Sequence, residues 1–134
     1  MKNKTKIIGI LNITDDSFSD GGKYLKISEA SKYIKKMISD NCHIIDIGAE
    51  SSKPGFIEVP IDKQISRILP IISEIKKISD DITISIDTRS SKVAESALKE
   101  GANIINDVSS GNNDKNMFDV VAKYNADIIL THMP

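Results

Sequence analysis

KIIGILNITDDSFSDGG, residues 6–22, sets a plan that the rest of the chain repeats. Apolar residues run from Ile7 to Leu11, and the character then changes abruptly. Asn12 opens a polar loop, Thr14-Asp15-Asp16-Ser17, that closes on Gly21-Gly22. A short apolar run ending in turn chemistry is the pattern of a buried strand, not a surface one. Its polar groups sit just past the carboxyl end, where ligands bind in parallel α/β folds.

The plan recurs at His43–Gly48 (HIIDIG), Ile82–Asp87 (ITISID), Asn103–Val108 (NIINDV) and Ala126–Thr131. Between these runs the apolar spacing turns helical. Ile27–Asp40 carries Ile27, Ala30, Ile34, Met37 and Ile38 on one side, with Ser28 as the expected cap and Glu29 in the first turn. Pro60–Ser79 places Ile61, Ile65, Ile68, Leu69, Ile72 and Ile75 together, and Pro70 should kink or break it. Ser91 is the expected cap of a helix through Val93, Ala94, Ala97 and Leu98 that stops at Gly101. A last helix covers Lys115–Tyr124, with Met117, Val120 and Val121 inward.

The order is βαβαβαβαβ, which implies a parallel sheet with right-handed crossovers. Two architectures begin this way. A doubly wound sheet gathers its polar residues at one switch point, whereas a TIM barrel draws on every strand end. Here Asn12, Glu50 with Ser52, Asp87 with Arg89, Asn106 with Asp107, and His132 each follow a different strand. No G-x-G-x-x-G follows the first strand, so the dinucleotide reading is weak. The expected fold is α/β of the parallel TIM-barrel type. Because a whole barrel takes about 250 residues, residues 1–134 are read as one domain holding its first five strands and four helices.

Composition excludes several classes. The chain is 40% hydrophobic and 28% charged, which is globular and not disordered. Its formal net charge of −1 gives no basic field for nucleic acid or an anionic membrane. No stretch approaches the roughly 18 apolar residues of a membrane span. The acidic loop interrupts the only apolar run near the amino terminus, so no signal peptide is read there and a cytoplasmic location is expected. Cys42 is the only cysteine; an internal disulfide is impossible, and its apolar setting suits a small core residue.

The strand ends offer acceptors and few cations. Asp46 and Asp87 interrupt apolar strands, and an unpaired buried carboxylate costs several kcal/mol. Each needs a partner. A structural hydrogen bond suits Asp46, which is followed by Gly48, while Asp87 ends its strand and meets the mouth. Asn106 donates and accepts at once, which fits a heterocycle edge or a turn cap. Lys53 and Arg89 could neutralise an anion, although Arg89 suits a salt bridge at a helix start. His132 reads as a base or as a hydrogen-bonded structural group, and His43 has no expected role. No His, Cys and carboxylate set has zinc spacing. A hard divalent cation is compatible if a phosphate completes its oxygen shell. On chemistry alone the ligand is small and polar, at a barrel mouth, and a phosphorylated one is compatible.

Five stretches resemble, in order, successive signatures of the dihydropteroate synthase family: ILNITDDSFSDGG (10–22), IIDIGAESSKPG (44–55), SIDT (85–88), GANIINDVS (101–109) and THMP (131–134). The first and fourth are long and specific; SIDT alone means little. The resemblance implies a TIM barrel that joins 6-hydroxymethyl-7,8-dihydropterin diphosphate to 4-aminobenzoate, releasing diphosphate and forming dihydropteroate for folate synthesis. It implies that Asn12 holds a magnesium–diphosphate and that Asp87 and Asn106 read the pterin edge. Ser17, Phe18 and Asp20 fall in the first loop, and Ser52 and Lys53 in the second. Those loops would close over the diphosphate and build the aminobenzoate pocket where sulfonamides compete, with Asp20 and Lys53 as candidate catalytic residues. His132 matches a diphosphate-side histidine. No protein nucleophile is required, and no Ser/His/Asp or Cys/His arrangement is seen.

The chain departs from the family pattern. Asp15 stands where the family has proline, Ser52 and Lys53 replace threonine and arginine, and Thr131 replaces methionine. Lysine keeps the charge but not the bidentate fork. The later signatures D-P-G-x-G-F-x-K, S-R-K and R-x-H-D do not occur within the chain. The chain is therefore expected to need a carboxyl-terminal half barrel or to self-associate. Alternatives are a non-catalytic pterin-binding remnant and the pterin-binding half of a corrinoid methyltransferase; the SFSDGG loop argues against the last.

Overall fold

The computed structural model describes residues 4–13, 26–50 and 58–131. Strands and helices alternate: β1 (Ile8–Asn12), α1 (Ile27–Ser39), β2 (Ile44–Gly48), α2 (Ile61–Ile78), β3 (Thr83–Asp87), α3 (Ser91–Lys99), β4 (Ile104–Asp107), α4 (Met117–Lys123) and β5 (Asp127–Leu130). All four strand pairings are parallel. The strands lie side by side in the order β1-β2-β3-β4-β5.

That order decides between the two architectures. A doubly wound sheet reverses direction at a switch point and carries helices on both faces. Here each right-handed crossover steps the same way, which keeps the helices on one face. Successive helices accordingly pack on one another, α1 on α2, α2 on α3 and α3 on α4. The result is an arc of a TIM barrel, as expected.

Strand side chains alternate between the two faces. On the helix side, Leu11, Ile45, Ile47, Ile84, Ile86 and Ile105 are almost wholly buried. They meet Ala30 and Ile34 of α1, Ile68, Ile71, Ile72 and Ile75 of α2, Val93, Ala94 and Ala97 of α3, and Met117 and Val121 of α4. Each buried isoleucine contributes about 1.5–3 kcal/mol. Gly9 is small for a packing reason: a Cβ there would lie 2.9 Å from the Met37 sulfur and 3.0 Å from the Cys42 sulfur. Cys42 is a buried, free thiol, as its setting suggested.

Two expected caps were misplaced. The residue preceding α1 is Lys26, and no side chain caps that helix, so Ser28 lies inside its first turn. Ser90, not Ser91, caps α3 by accepting from Val93 N. Ser91 is the first helical residue, and its N–H donates to Asp114 at 2.7 Å. Pro70 lies inside α2, which runs unbroken through it. Of the two outcomes expected there, a kink or a break, the break does not occur, since Ile68 before the proline and Ile71 and Ile72 after it hold both halves to the core. Gly101 follows the end of α3 with φ +106°, as a terminating glycine should.

Candidate functional site

The face of the sheet opposite the helices is where the arc differs from a closed core. One row of paired residues on it runs Asn12, Gly48, Asp87, Asn106 and Ile129, one from each strand. The row lies at the carboxyl ends of the strands. Backbone bonds lock it on both sides: Ile13 N donates to Gly48 O at 2.8 Å and Thr88 N to Asn106 O at 3.2 Å. Three expected site residues, Asn12, Asp87 and Asn106, therefore share one end and one face of one sheet.

Gly48 shapes the gap between them. A Cβ at this position would stand 3.3 Å from Asn12 Oδ1 and 3.6 Å from both Cβ and Oδ2 of Asp87. The missing side chain leaves a shallow slot between an amide and a carboxylate. Asn12 is exposed on one side of it.

Electrostatics single out Asp87. Burial pushes its carboxyl up to about 7, and the negative charges of Asp46, Glu50 and Asp107 add to this, while Arg89 opposes it. Among the described residues no hydrogen bond to its carboxylate accompanies that burial. Such a group gains from a ligand N–H donor. Asn106 Oδ1 is also buried and has no hydrogen-bond partner among the described residues. Buried polar atoms are nearly always satisfied, so this oxygen calls for a donor that the described residues do not supply. Two acceptors in adjacent positions of one row thus lack donors.

One layer deeper, Asp46 pairs with Ser85 across the sheet. The Ser85 hydroxyl donates to Asp46 Oδ1 at 2.6 Å. Burial raises the Asp46 carboxyl, and the hydrogen bond from Ser85 opposes that. The structural role expected of Asp46 is present.

Other strand-end residues do different work. Asp107 points to the helix side, fully buried, and accepts from Ser109 N and Oγ and from Gly111 N. It ties its own loop and does not join Asn106 in the mouth, because adjacent strand residues face opposite ways. Arg89 forms the expected salt bridge, donating to Glu50 Oε1 at 2.8 Å, and the other Glu50 oxygen accepts from Val59 N. It balances a carboxylate of the protein. His43 Nδ1 accepts from Ile7 N at the opposite end of the sheet. Ser17, Phe18, Asp20, Ser52, Lys53 and His132 lie outside the described residues.

The sequence reading missed Gly48. Gly48 offered a signal, a glycine ending an apolar strand.

The family model for pterin binding enzyme matches residues 8–134. The chain belongs to the pterin-binding enzyme family. Among its relatives, the dihydropteroate synthase of Staphylococcus haemolyticus is 49% identical over 129 residues, covering 96% of this chain and 48% of that protein. The dihydropteroate synthase of Bacillus subtilis is 47% identical over 131 residues, covering 98% of this chain and 46% of its own length. Solved structures agree. Dihydropteroate synthase from Clostridium difficile, determined in the presence of pteroic acid, superposes with a TM-score of 0.86 at 42% identity, over 96% of this chain and 49% of that one. The Xanthomonas albilineans enzyme with 4-aminobenzoic acid gives 0.89 at 32% identity, over 98% and 48%. The chain spans about half the length of the relatives it matches.

Proposed function

We propose that this chain supplies the amino-terminal half of a dihydropteroate synthase site. The reaction is condensation of 6-hydroxymethyl-7,8-dihydropterin diphosphate with 4-aminobenzoate, giving dihydropteroate and diphosphate. The observation that carries the reading is the row Asn12–Gly48–Asp87–Asn106, with a buried amide oxygen of Asn106 that lacks a donor and a half-buried Asp87 carboxylate beside it. A pterin edge carries an amino group and ring N–H groups, the complement of that row. Donation to Asp87 favours its ionised form, so binding draws its titration down from about 7. A carboxylate beside the ring then tolerates positive charge on the pterin methylene as diphosphate departs.

Magnesium is the ion this reading calls for, and Asn12 fits it as one neutral oxygen ligand beside the slot. Among the described residues no group of three or more His, Cys, Asp or Glu could hold a metal. Magnesium commonly takes one or two protein oxygens and fills its shell with substrate phosphate and water. When bound it would neutralise leaving-group charge. Ser17, Phe18 and Asp20 in one loop, Ser52 and Lys53 in a second, and His132 are assigned to the diphosphate and aminobenzoate by family resemblance. Asp20 and Lys53 are the candidates for direct contact with the reacting groups. The Yersinia pestis relative has been solved in a sulfonamide drug complex, so sulfonamides are expected to compete with 4-aminobenzoate here. A cytoplasmic location suits a small-molecule enzyme of this kind, and no described helix is long and apolar enough to cross a membrane.

The test is dihydropteroate formation, measured with this chain alone and with a carboxyl-terminal half barrel of a relative added. No turnover is expected alone, and turnover is expected on addition. Measurable turnover by the isolated monomer would show that the row and its loops suffice. Failure to bind 6-hydroxymethylpterin in either setting would remove the pterin assignment.

A further inference from the structure

We propose that Glu50 is a positioning residue that holds the Arg89 guanidinium off Asp87, and so keeps the Asp87 carboxylate open to a ligand donor. Arg89 follows Asp87 by only two residues. Its backbone is fixed: the Asn113 side-chain NH2 donates to Arg89 O at 3.3 Å, Ser90 N donates to Thr88 Oγ1 at 3.1 Å, and Ser90 caps α3. What remains to be set is the direction of the arginine arm, and Glu50 sets it. Arg89 donates to Glu50 Oε1 at 2.8 Å, and the second Glu50 oxygen accepts from Val59 N at 3.1 Å. Both oxygens of the carboxylate are thereby used, which fixes its plane. The Glu50 side chain is 15% exposed and that of Arg89 26%, so the pair is screened by water less than a surface bridge is.

Asp87 is the competing acceptor. It ends β3 half-buried and lies within range of the Arg89 charge. Were Glu50 not a carboxylate, the choice for the guanidinium among the described residues would lie between Asp87 and Glu58, whose Oε1 is 4.0 Å away. Glu58 is 81% exposed, and a solvated pair contributes little. A carboxylate drawn partly out of water gains more from a cation. An arginine settled on Asp87 would take up, with its fork of donors, the lone pairs that a ligand N–H needs. Glu50 thus keeps a neighbouring cation from satisfying that carboxylate within the protein. The ligand part of the inference rests on the pterin reading of the row; the direction of the Arg89 arm does not.

Two measurements separate these parts, both on Glu50→Gln in the full chain. The one oxygen of the new amide can still accept from Val59 N, which turns its NH2 group toward Arg89, donor against donor. In a crystal structure of this variant, grown at about pH 8 so that Asp87, which titrates near 7, is mostly ionised, the guanidinium is expected within hydrogen-bond distance of an Asp87 oxygen. A guanidinium that stays on the new amide, moves to Glu58 or turns to solvent overturns the proposal. The second measurement is affinity for 6-hydroxymethylpterin. Glu50→Gln is expected to weaken it about tenfold, the worth of one hydrogen bond to a charged group. Arg89→Gln is expected to leave it within about threefold, and the double variant to bind as Arg89→Gln does. That rescue separates guarding from a structural role of Glu50, since damage done through Val59 persists whatever stands at position 89. A loss undiminished in the double variant overturns the proposal. If no form of the chain binds the pterin while Arg89 is found on Asp87 in Glu50→Gln, the guarding role stands and the pterin reading fails.

Discussion

Gly48 matters through what it lacks. Its backbone needs no unusual conformation, so Gly48→Ala is sterically a question of the slot alone. The new methyl would press Asn12 Oδ1 at 3.3 Å and touch Asp87 at 3.6 Å. We expect a stability change within about 1 kcal/mol, since a strand interior accepts alanine as readily as glycine. Affinity for 6-hydroxymethylpterin, followed by calorimetry, should fall at least about tenfold, the equivalent of 1.4 kcal/mol. Asp87 makes a second prediction through pH. Its carboxyl titrates near 7 in the folded chain, against 3.8 ordinarily. The folded state therefore holds the proton longer than the unfolded state does. The resulting stability is fully present below about pH 4 and is lost as pH rises through 7, roughly 4 kcal/mol in all. Asp46 is raised as well and slopes the same way. Asp87→Asn should flatten the decline in urea-derived stability between pH 5 and 8, leaving only the share due to Asp46. An unchanged slope would mean that Asp87 is solvated. The placement of Asn12, Asp87 and Asn106 was legible beforehand, because a polar residue ending an apolar strand has only one end to occupy. Their shared row was not, because parallel register is set by packing between strands distant in sequence.

At the scale of the element, the helices show which local rules hold. Ser28 and Ser90 look alike in the sequence, each a serine near the start of an apolar period. Only Ser90 sits outside its helix with an extended backbone and accepts from Val93 N. Ser28 is a helical residue with no capping bond. Ser90→Ala should therefore cost about 1 kcal/mol, and Ser28→Ala only a few tenths; thermal melts of the two variants make the comparison. Strand and helix kinds were readable over the described residues because short apolar runs bounded by turn residues differ from longer segments with helical spacing. Boundaries moved by one or two residues, as in β4, expected from Asn103 and observed as Ile104–Asp107. The end of α3 was readable to the residue, since Gly101 adopts φ +106°. A Cβ there would also meet the Lys76 chain. Gly101→Ala is expected to destabilise by about 1 kcal/mol or more, measured as a fall in the urea midpoint.

For the molecule as a whole, the sheet is an arc with β1 and β5 at its edges. Ile8, Ile10 and Ile129 are exposed on the open face, and Leu130 is exposed on the helix side of β5. Open parallel edges and bare apolar residues favour association. Sedimentation is expected to show oligomers at micromolar concentration, shifting toward a one-to-one complex when a carboxyl-terminal half barrel is supplied. Ile10→Lys, at a position 64% exposed, should raise the monomer fraction several-fold with little change in melting temperature. A compact monomer of the unaltered chain would remove this account. The strand order has a further consequence, for the route to the fold. Every strand pairs with the one made just before it, and every helix leans on its predecessor. No early segment has to wait for a distant later one, so the loop-closure cost of each step is small. Structure can accrete from the amino terminus as the polypeptide emerges during synthesis, one βα unit at a time, with β1 and β2 already mated when β3 arrives.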